Sequence, residues 1–176
     1  PISVETVDRV GVPIRLLVVF YVDGSWSSGP YAPSGYLEGH QFIEQNQTHG
    51  ESRDGKHSLA VRLKAENGWG GVAWQDPAND WGSLPGGLDL RGASRVTFWA
   101  RGAEGSEEVK FGLGLIGRDA QYPDSARVDT GEVTLGIQWR SFVIDLDGHN
   151  LERIETGLYW GAASPVEFYL DSVRIE

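Results

Sequence analysis

The sequence has no cysteine and no methionine. Without thiols there is no disulfide framework and no thiolate zinc site. A chain that lacks methionine and begins at Pro1 without a basic, apolar leader is expected to be a processed or excised piece whose targeting segment has been removed. Long apolar runs are missing too: the longest, Ile14 to Val22, is nine residues even counting Arg15. A bilayer span needs about 20 residues, so this run reads as a buried strand and membrane insertion is not expected. Basic residues are the minority, 15 Lys and Arg against 25 Asp and Glu, for a net charge of −10. They nowhere gather into a stripe, so nucleic acid, whose phosphates must be neutralised, is not an expected partner. An acidic surface is compatible with neutral ligands and divalent cations.

Catalytic signatures are absent as well. Neither G-x-S-x-G nor H-E-x-x-H occurs, and His40, His49, His57 and His149 are scattered among charged and glycine residues. Helix signals are scarce, with one plausible helical or 3₁₀ turn at Asn150 to Glu155, so no glycine loop opens a helix to cradle phosphate.

What the chain has is strand punctuation. Its 176 residues, with 24 glycines and 11% aromatics, suit one all-β domain spanning 1–176, with a short edge strand or arm at 1–12. Asp23-Gly24 is a turn signal after the first strong strand, and Ser25 to Gly39 reads as a long ordered loop bearing Trp26, Tyr31 and Tyr36. Strands are predicted at Gln41 to Gln47, His57 to Ala65, Gly70 to Gln75, Arg95 to Arg101, Val109 to Ile116, Glu132 to Leu135, Trp139 to Leu146, Gly157 to Ala162 and Glu167 to Ile175. With turn signals between them and no fixed repeat, they predict a two-sheet antiparallel β-sandwich. In Val109 to Ile116 glycines fall on alternate positions, leaving one face shallow enough to receive a ligand. Tyr159 and Trp160 must point to opposite faces of one strand, so only one of them can line such a hollow.

The aromatic stretch Gly68 to Asp80, GWGGVAWQDPAND, with Trp81 and Gly82 after it, is the densest chemistry in the chain. Trp69, Trp74 and Trp81 stand among Gln75, Asp76, Asn79 and Asp80. A pyranose offers a C–H face that stacks on indole and a rim of hydroxyls that needs planar polar partners, and this mixture suits one. The expected ligand-binding set is Trp69, Trp74, Gln75, Asp76, Asn79, Trp81, Trp99 and Arg101, with Gln121, Tyr122 and Asp124 reaching in from a facing loop. Trp74, Arg101 and Trp81 are its expected anchors, sharing one solvent-filled concavity.

Gly55-Lys56-His57-Ser58-Leu59, the strand Arg95-Val-Thr-Phe-Trp-Ala-Arg101, the Trp139 strand ending Ile144-Asp145-Leu146, and the terminal Phe168-Tyr-Leu-Asp171-Ser-Val173 occur in that order. In order and spacing the chain resembles the jelly-roll carbohydrate-binding modules of the galactose-binding-domain-like type. The resemblance implies a non-catalytic module whose concave sheet holds a polysaccharide or oligosaccharide. It implies a module outside the cell or in the periplasm, attached to or acting beside a larger protein. It also implies a structural calcium, with oxygen ligands at Asp23, at Asp54 or Glu51, at the backbone carbonyl of Lys56, and at Asp171.

Two other readings compete with it. A structural or adhesive domain would use the same aromatics as a flat protein interface. A glycoside hydrolase would need two carboxylates facing each other about 5 to 10 Å apart, for which Asp76 with Asp80, Glu107 with Glu108 and Asp124 with Asp129 are the candidates. Glu107 and Glu108 are neighbours on a strand and face opposite ways, which disfavours that pair.

Overall fold

The computed structural model describes residues 18–21, 29–49, 52–64 and 68–176. Eleven strands run through them: β1 Val18–Tyr21, β2 Ala32–Tyr36, β3 Ile43–His49, β4 His57–Leu63, β5 Gly70–Gln75, β6 Arg95–Gly102, β7 Glu107–Leu113, β8 Val128–Leu135, β9 Arg140–Asp145, β10 Thr156–Ala162 and β11 Val166–Ile175. One 3₁₀ turn, His40–Phe42, precedes β3. No helix among the described residues is long and apolar enough to cross a membrane.

The strands form two antiparallel sheets, the all-β jelly-roll sandwich read from the sequence. The first sheet has the order β3-β4-β11-β6-β9, with β1 also paired to β11. The second has the order β2-β5-β10-β7-β8. Along β11 the partner changes: Val166 to Leu170 pair with β4, and Val173 to Ile175 pair with β1. The change occurs at a bulge where Ser172 takes a left-handed conformation (φ 53°). A bulge of this kind bends a strand and re-aims the residues after it, which is how one strand serves two neighbours on the same side.

Strand periodicity builds the core. Val96, Phe98 and Ala100 of β6 alternate with half-exposed Thr97, Trp99 and Arg101, as the sequence alternation predicts. The inward rows of the two sheets meet in an aromatic seam: Phe98 lies 4.7 Å from Phe111 and 5.5 Å from Phe142, Phe168 lies 5.8 Å from Phe111, and Trp160 meets Phe168 edge-on at 5.3 Å. Tilted and edge-to-face pairs at these separations add favourable quadrupole interactions to the burial of a large apolar area.

Three sequence expectations change. The segment Ser25 to Gly39 is not all loop, because Ala32–Tyr36 pairs with β5 as an edge strand that carries Pro33. Proline is tolerated there, since an edge strand has an unpaired side. Asn150 to Glu155 forms no helix. Its backbone is taken up by the segment facing it, with Leu90 N donating to Leu151 O and a reciprocal bridge between Leu88 and Ile154. Strand β8 begins at Val128, four residues before the predicted start at Glu132. The 1–12 arm, the Asp23-Gly24 turn and Trp26 lie outside the described residues.

Phe98 touches both Phe111 and Phe142 at the centre of the seam, so Phe98→Ala is expected to cost about 3–5 kcal/mol of stability. Denaturant unfolding measures this, and a loss below about 1 kcal/mol would contradict the packing described.

Candidate functional site

The outward face of the second sheet can be built row by row from its register. One row reads Gly35, Ala73, Tyr159, Gly112 and Asp129 from β2 to β8. The next, two residues along, reads Gly71, Gly161, Lys110 and Glu132, and Leu37 joins its edge by donating its N–H to Gly71 O at 3.0 Å. Four of the six positions on the β5, β10 and β7 part of these rows are glycine or alanine, and the other two are Tyr159 and Lys110. Small residues flanked by large ones make a hollow, and a cavity of about 260 Å³ opens here, lined by Leu37, Trp69, Lys110, Leu115, Arg127, Glu132, Tyr159 and Gly161 to Ala163.

Tyr159 forms part of the floor. Its ring lies over Gly112, where a Cβ would come within 2.4 Å of it. Its hydroxyl donates to Asp129 Oδ2 at 3.2 Å, and the Arg127 guanidinium sits 6.0 Å from the ring centre. Burial and the neighbouring Asp129 raise the phenol's pKa, so it stays a donor across the ordinary pH range. The Gly131 N–H, reinforced by Lys110, holds the Asp129 carboxyl below its usual value despite partial burial. Gly161 is different: a Cβ there would have its nearest neighbour 3.8 Å away, so the floor above it is open. Trp69 stands at the rim with 45% of its surface exposed. An exposed indole, a flat phenol, apolar Leu37 and Leu115, and a rim of Lys110, Arg127 and Glu132 together offer stacking surface and hydrogen-bonding groups of both signs.

The sequence-predicted site residues do not converge. Trp69 is in the trough. Trp74 is not: its side chain is 0% exposed in the core, opposite Leu158, so it cannot stack on a ligand. It occupies the inward phase of β5, whereas the trough belongs to the outward phase. Gln75 is outward but also 0% exposed. A Cβ at Gly35 would lie 2.6 Å from Gln75 Oε1 and 2.9 Å from the Trp81 indole, so the Trp81 loop lies across that end of the sheet. Trp81 itself is partly exposed there, its Nε1 donating to Asn79 Oδ1 at 3.1 Å, while Asn79 N donates to Ser34 Oγ. Asp76 uses its backbone to tie the loop down, its N–H reaching Glu155 O and its carbonyl accepting from Gly87. Asp124 is consumed structurally: Oδ1 accepts from the N–H groups of Glu155 and Thr156, and Oδ2 from Ile116. Gln121 is exposed and donates to the Tyr122 hydroxyl at 3.3 Å, and the Tyr122 ring lies 5.6 Å from the Arg153 guanidinium.

Trp99 and Arg101 lie on the outward face of the other sheet. Arg53 covers the Trp99 ring at 4.3 Å, and Arg101 stacks on Tyr169 at 4.1 Å and reaches Trp139 at 5.6 Å. The three expected anchors Trp74, Arg101 and Trp81 therefore occupy the core, the opposite face and the loop, and share no concavity. The residues sequence reasoning left out of the site set, Leu37, Lys110, Leu115, Arg127, Glu132 and Tyr159, had a legible signal in part. Alternating glycines in β7 mark the shallow face that Lys110 and Gly112 share, and the Tyr159–Trp160 alternation places one ring outward and one in the core.

Of the expected metal ligands, Asp23 and Glu51 lie outside the described residues. Asp171 is fully buried: Oδ2 accepts from the N–H groups of Arg53 and Asp54 at 2.9 and 3.1 Å, and Oδ1 from that of Ser172. The Ser172 hydroxyl donates to Asp54 Oδ2 at 3.0 Å, bringing the second carboxylate alongside. Burial, with Asp54 nearby, raises the Asp171 pKa against the pull of those N–H groups. Among the described residues no three histidine, aspartate or glutamate side chains gather as a metal cluster, so any ion here would draw on backbone carbonyls and water as well.

No protein-family model matches the chain, and no curated protein is similar enough in sequence to count as a relative. Solved structures do match. The family 30 carbohydrate-binding module of a cellulosomal cellulase of Clostridium thermocellum superposes with a TM-score of 0.65 at 17% identity, over 92% of this chain and 97% of that one. The family 11 module of another cellulosomal cellulase of the same organism gives 0.59 at 14% identity, over 89% and 93%. A family 29 module complexed with cellulohexaose gives 0.58 at 9% identity, over 90% and 89%. At these identities the likeness establishes the fold: this chain has the jelly-roll architecture of carbohydrate-binding modules over nine-tenths of its length.

Proposed function

We propose that the protein is a non-catalytic carbohydrate-binding module, and that a polysaccharide or oligosaccharide lies in the trough on the outward face of the second sheet. The observation that carries this is the hollow between Trp69 and Tyr159, open above Gly161 and bounded by Leu37, Leu115 and a polar rim. Gly112 and Gly71 make room for the Tyr159 ring and the Leu37 side chain that wall the hollow, and Gly161 leaves it open. The equal number of cationic and anionic side chains around the trough, Lys110 and Arg127 against Asp129 and Glu132, favours a neutral sugar. The solved relatives support the choice of ligand class: one holds cellulohexaose, and the family 11 module has been solved with a β-1,3-1,4-mixed-linked tetrasaccharide.

Hydrolysis is disfavoured by the state of the carboxylates. A glycosidase needs a general acid with a raised pKa facing the scissile bond. Asp129, in the trough, is shifted the other way. Glu155 is raised to about 7 but is sealed from solvent, at 1% exposure. Asp124 spends both oxygens on backbone N–H groups and Asp80 spends Oδ2 on Leu84 N; Asp76 is raised by burial, but it lies in the loop after β5 and does not line the trough. A module of this kind would be carried by, or act beside, a larger protein outside the cell or in the periplasm.

Affinity electrophoresis in neutral β- and α-glucans, xylan, mannan and galactan tests the reading. Trp69→Ala is expected to lose about 1–3 kcal/mol of affinity, while Trp99→Ala on the other face leaves it unchanged. Gly161→Leu is expected to abolish binding with the melting temperature unaltered, because the new side chain enters open space. Equal loss from the Trp99 variant would move the site to the first sheet. A flat response of the wild type to every glycan would leave the adhesive-interface reading ahead.

We also propose a structural calcium where Asp54 and Asp171 meet, with the Lys56 carbonyl in its coordination. It would tie the 52–56 turn to β11, and the support for it is a buried carboxylate with a second one against it. A hard cation takes about six to eight oxygens and stabilises the folded state by mass action. Chelator is expected to lower the melting temperature by several degrees and added calcium to restore it; an unchanged midpoint would remove calcium from the account.

A further inference from the structure

Strand β8, at one side of the trough, changes phase partway along. Val128 and Val133 both pack on the core, while Asp129 and Glu132 are both exposed. In a regular strand neither pair could share a face, because residues five or three positions apart point opposite ways. A bulge makes the difference: Lys110 stands opposite Glu132 and Gly112 opposite Asp129, so Thr130 and Gly131 together face the single residue Phe111. Gly131 is left-handed there (φ 65°), the Phe111 N–H donates to Thr130 Oγ1 at 3.1 Å, and the Gly131 N–H donates to Asp129 Oδ1 at 2.9 Å. Without the extra residue, a strand that kept Val128 inward would turn Glu132 toward the core and Val133 to solvent. The bulge therefore aims Glu132 into the trough, as bulges beside ligand sites do.

The two carboxylates that the bulge brings to this face differ in what they have left to offer. Asp129 is held through both oxygens, by the Tyr159 hydroxyl and the Gly131 N–H. The Glu132 side chain lines the hollow and makes no hydrogen bond or ion pair with any described residue. The Lys110 side chain, its cross-strand neighbour, lines the same hollow and is likewise unpaired. Side chains directly opposite on paired strands start about 4.5 to 5.5 Å apart at Cβ. A donor-only ammonium and an acceptor-only carboxylate thus stand side by side at the trough without bonding to each other.

We propose that Glu132 sets the specificity of the trough: with Lys110 it recognises two adjacent free hydroxyls on one sugar ring. The inference rests on the trough being the sugar site. A hydroxyl both donates and accepts, so one hydroxyl donates to the Glu132 carboxylate while its neighbour accepts from the Lys110 ammonium. Each charged group then has a partner that the protein does not supply. An ether oxygen only accepts. It can meet Lys110 but leaves the Glu132 carboxylate desolvated without a donor, and a site built on a hydroxyl discriminates strongly against an analogue that lacks it. Stacking on Trp69 and Tyr159 is open to many rings, so this pair is what separates one ring from another.

Wild type, Glu132→Ala, Glu132→Gln and Trp69→Ala are compared by affinity electrophoresis in glucan, xylan, mannan and galactan, each native and partly O-methylated. Methylation turns a hydroxyl into an ether and removes its proton. Hydrogen bonds to charged groups are strong enough that Glu132→Ala is expected to weaken binding of the native polymer about tenfold or more, at an unchanged melting temperature. Glu132→Gln, whose amide oxygen still accepts, is expected to fall between that variant and wild type. Methylation is expected to weaken wild-type binding by a larger factor than that of Glu132→Ala, a coupling that a merely structural role for Glu132 would not produce. If Glu132→Ala binds the native polymer as wild type does while Trp69→Ala has lost it, the trough is the sugar site and its specificity does not come from Glu132. Equal losses on methylation in wild type and Glu132→Ala would overturn the inference in the same way. A wild type retarded by none of the polymers would remove the trough reading and this inference together.

Discussion

The aromatic seam between the two sheets fixes everything else. Phe98, Phe111, Phe142, Phe168 and Trp160 can meet only if each strand holds its register, because a slip of one residue turns the inward set out to water. Once Phe111 and Trp160 are committed to the core, Lys110, Gly112, Tyr159 and Gly161 have no choice but the outward face. The trough is therefore a by-product of core packing, shaped by which outward positions are glycine. This links the burial that stabilises the fold to the shape of the outward surface without requiring a separate scaffold for the hollow.

The two outward faces illustrate how similar residue types reach different ends. On the first sheet the rings of Trp99 and Tyr169 are covered by Arg53 and Arg101, and Arg62 and Glu167 pair across β4 and β11. Its planar groups satisfy one another, at little gain in stability since exposed ion pairs contribute about 0–1 kcal/mol each. On the second sheet the floor is open at Gly161, Trp69 is exposed, and polar side chains line a hollow. A surface rich in aromatics becomes a binding site only when their faces are left open.

Much of the fold was legible from period-two alternation and turn residues. Gly70 to Gln75 was placed to the residue, and Arg95 to Arg101 to within one. The strand Ala32–Tyr36 was hidden because its proline, serine and glycine carry the composition of a loop, and pairing with β5 overrides that composition. The apparent turn at Asn150 to Glu155 failed because Leu88 and Leu90 claim its backbone, a long-range contact with no local signal. Within the site, the aromatic stretch reads as one unit by composition, yet its residues alternate: Trp74 points inward, Gln75 outward, and Trp81 belongs to a loop. Applied to GWGGVAWQ, the rule that separates Tyr159 from Trp160 also keeps Trp69 and Trp74 off the same face, and the structure makes Trp74 the inward one. The approach of the Trp81 loop to Gly35, and the burial of Gln75 beneath it, depend on residues more than 30 positions apart and leave no mark in the sequence.

The central claim is that a sugar occupies the trough of the second sheet and no other surface. The side-chain N–H signals of the tryptophans in a nitrogen-15 NMR titration with a soluble neutral oligosaccharide test it most directly, since the indoles sample the trough, the core and the opposite face at once. The Trp69 signal is expected to move saturably with ligand while those of Trp74, Trp160, Trp99 and Trp139 stay in place. Movement of Trp99 and Trp139 with Trp69 unmoved would contradict the account and assign the ligand to the other sheet.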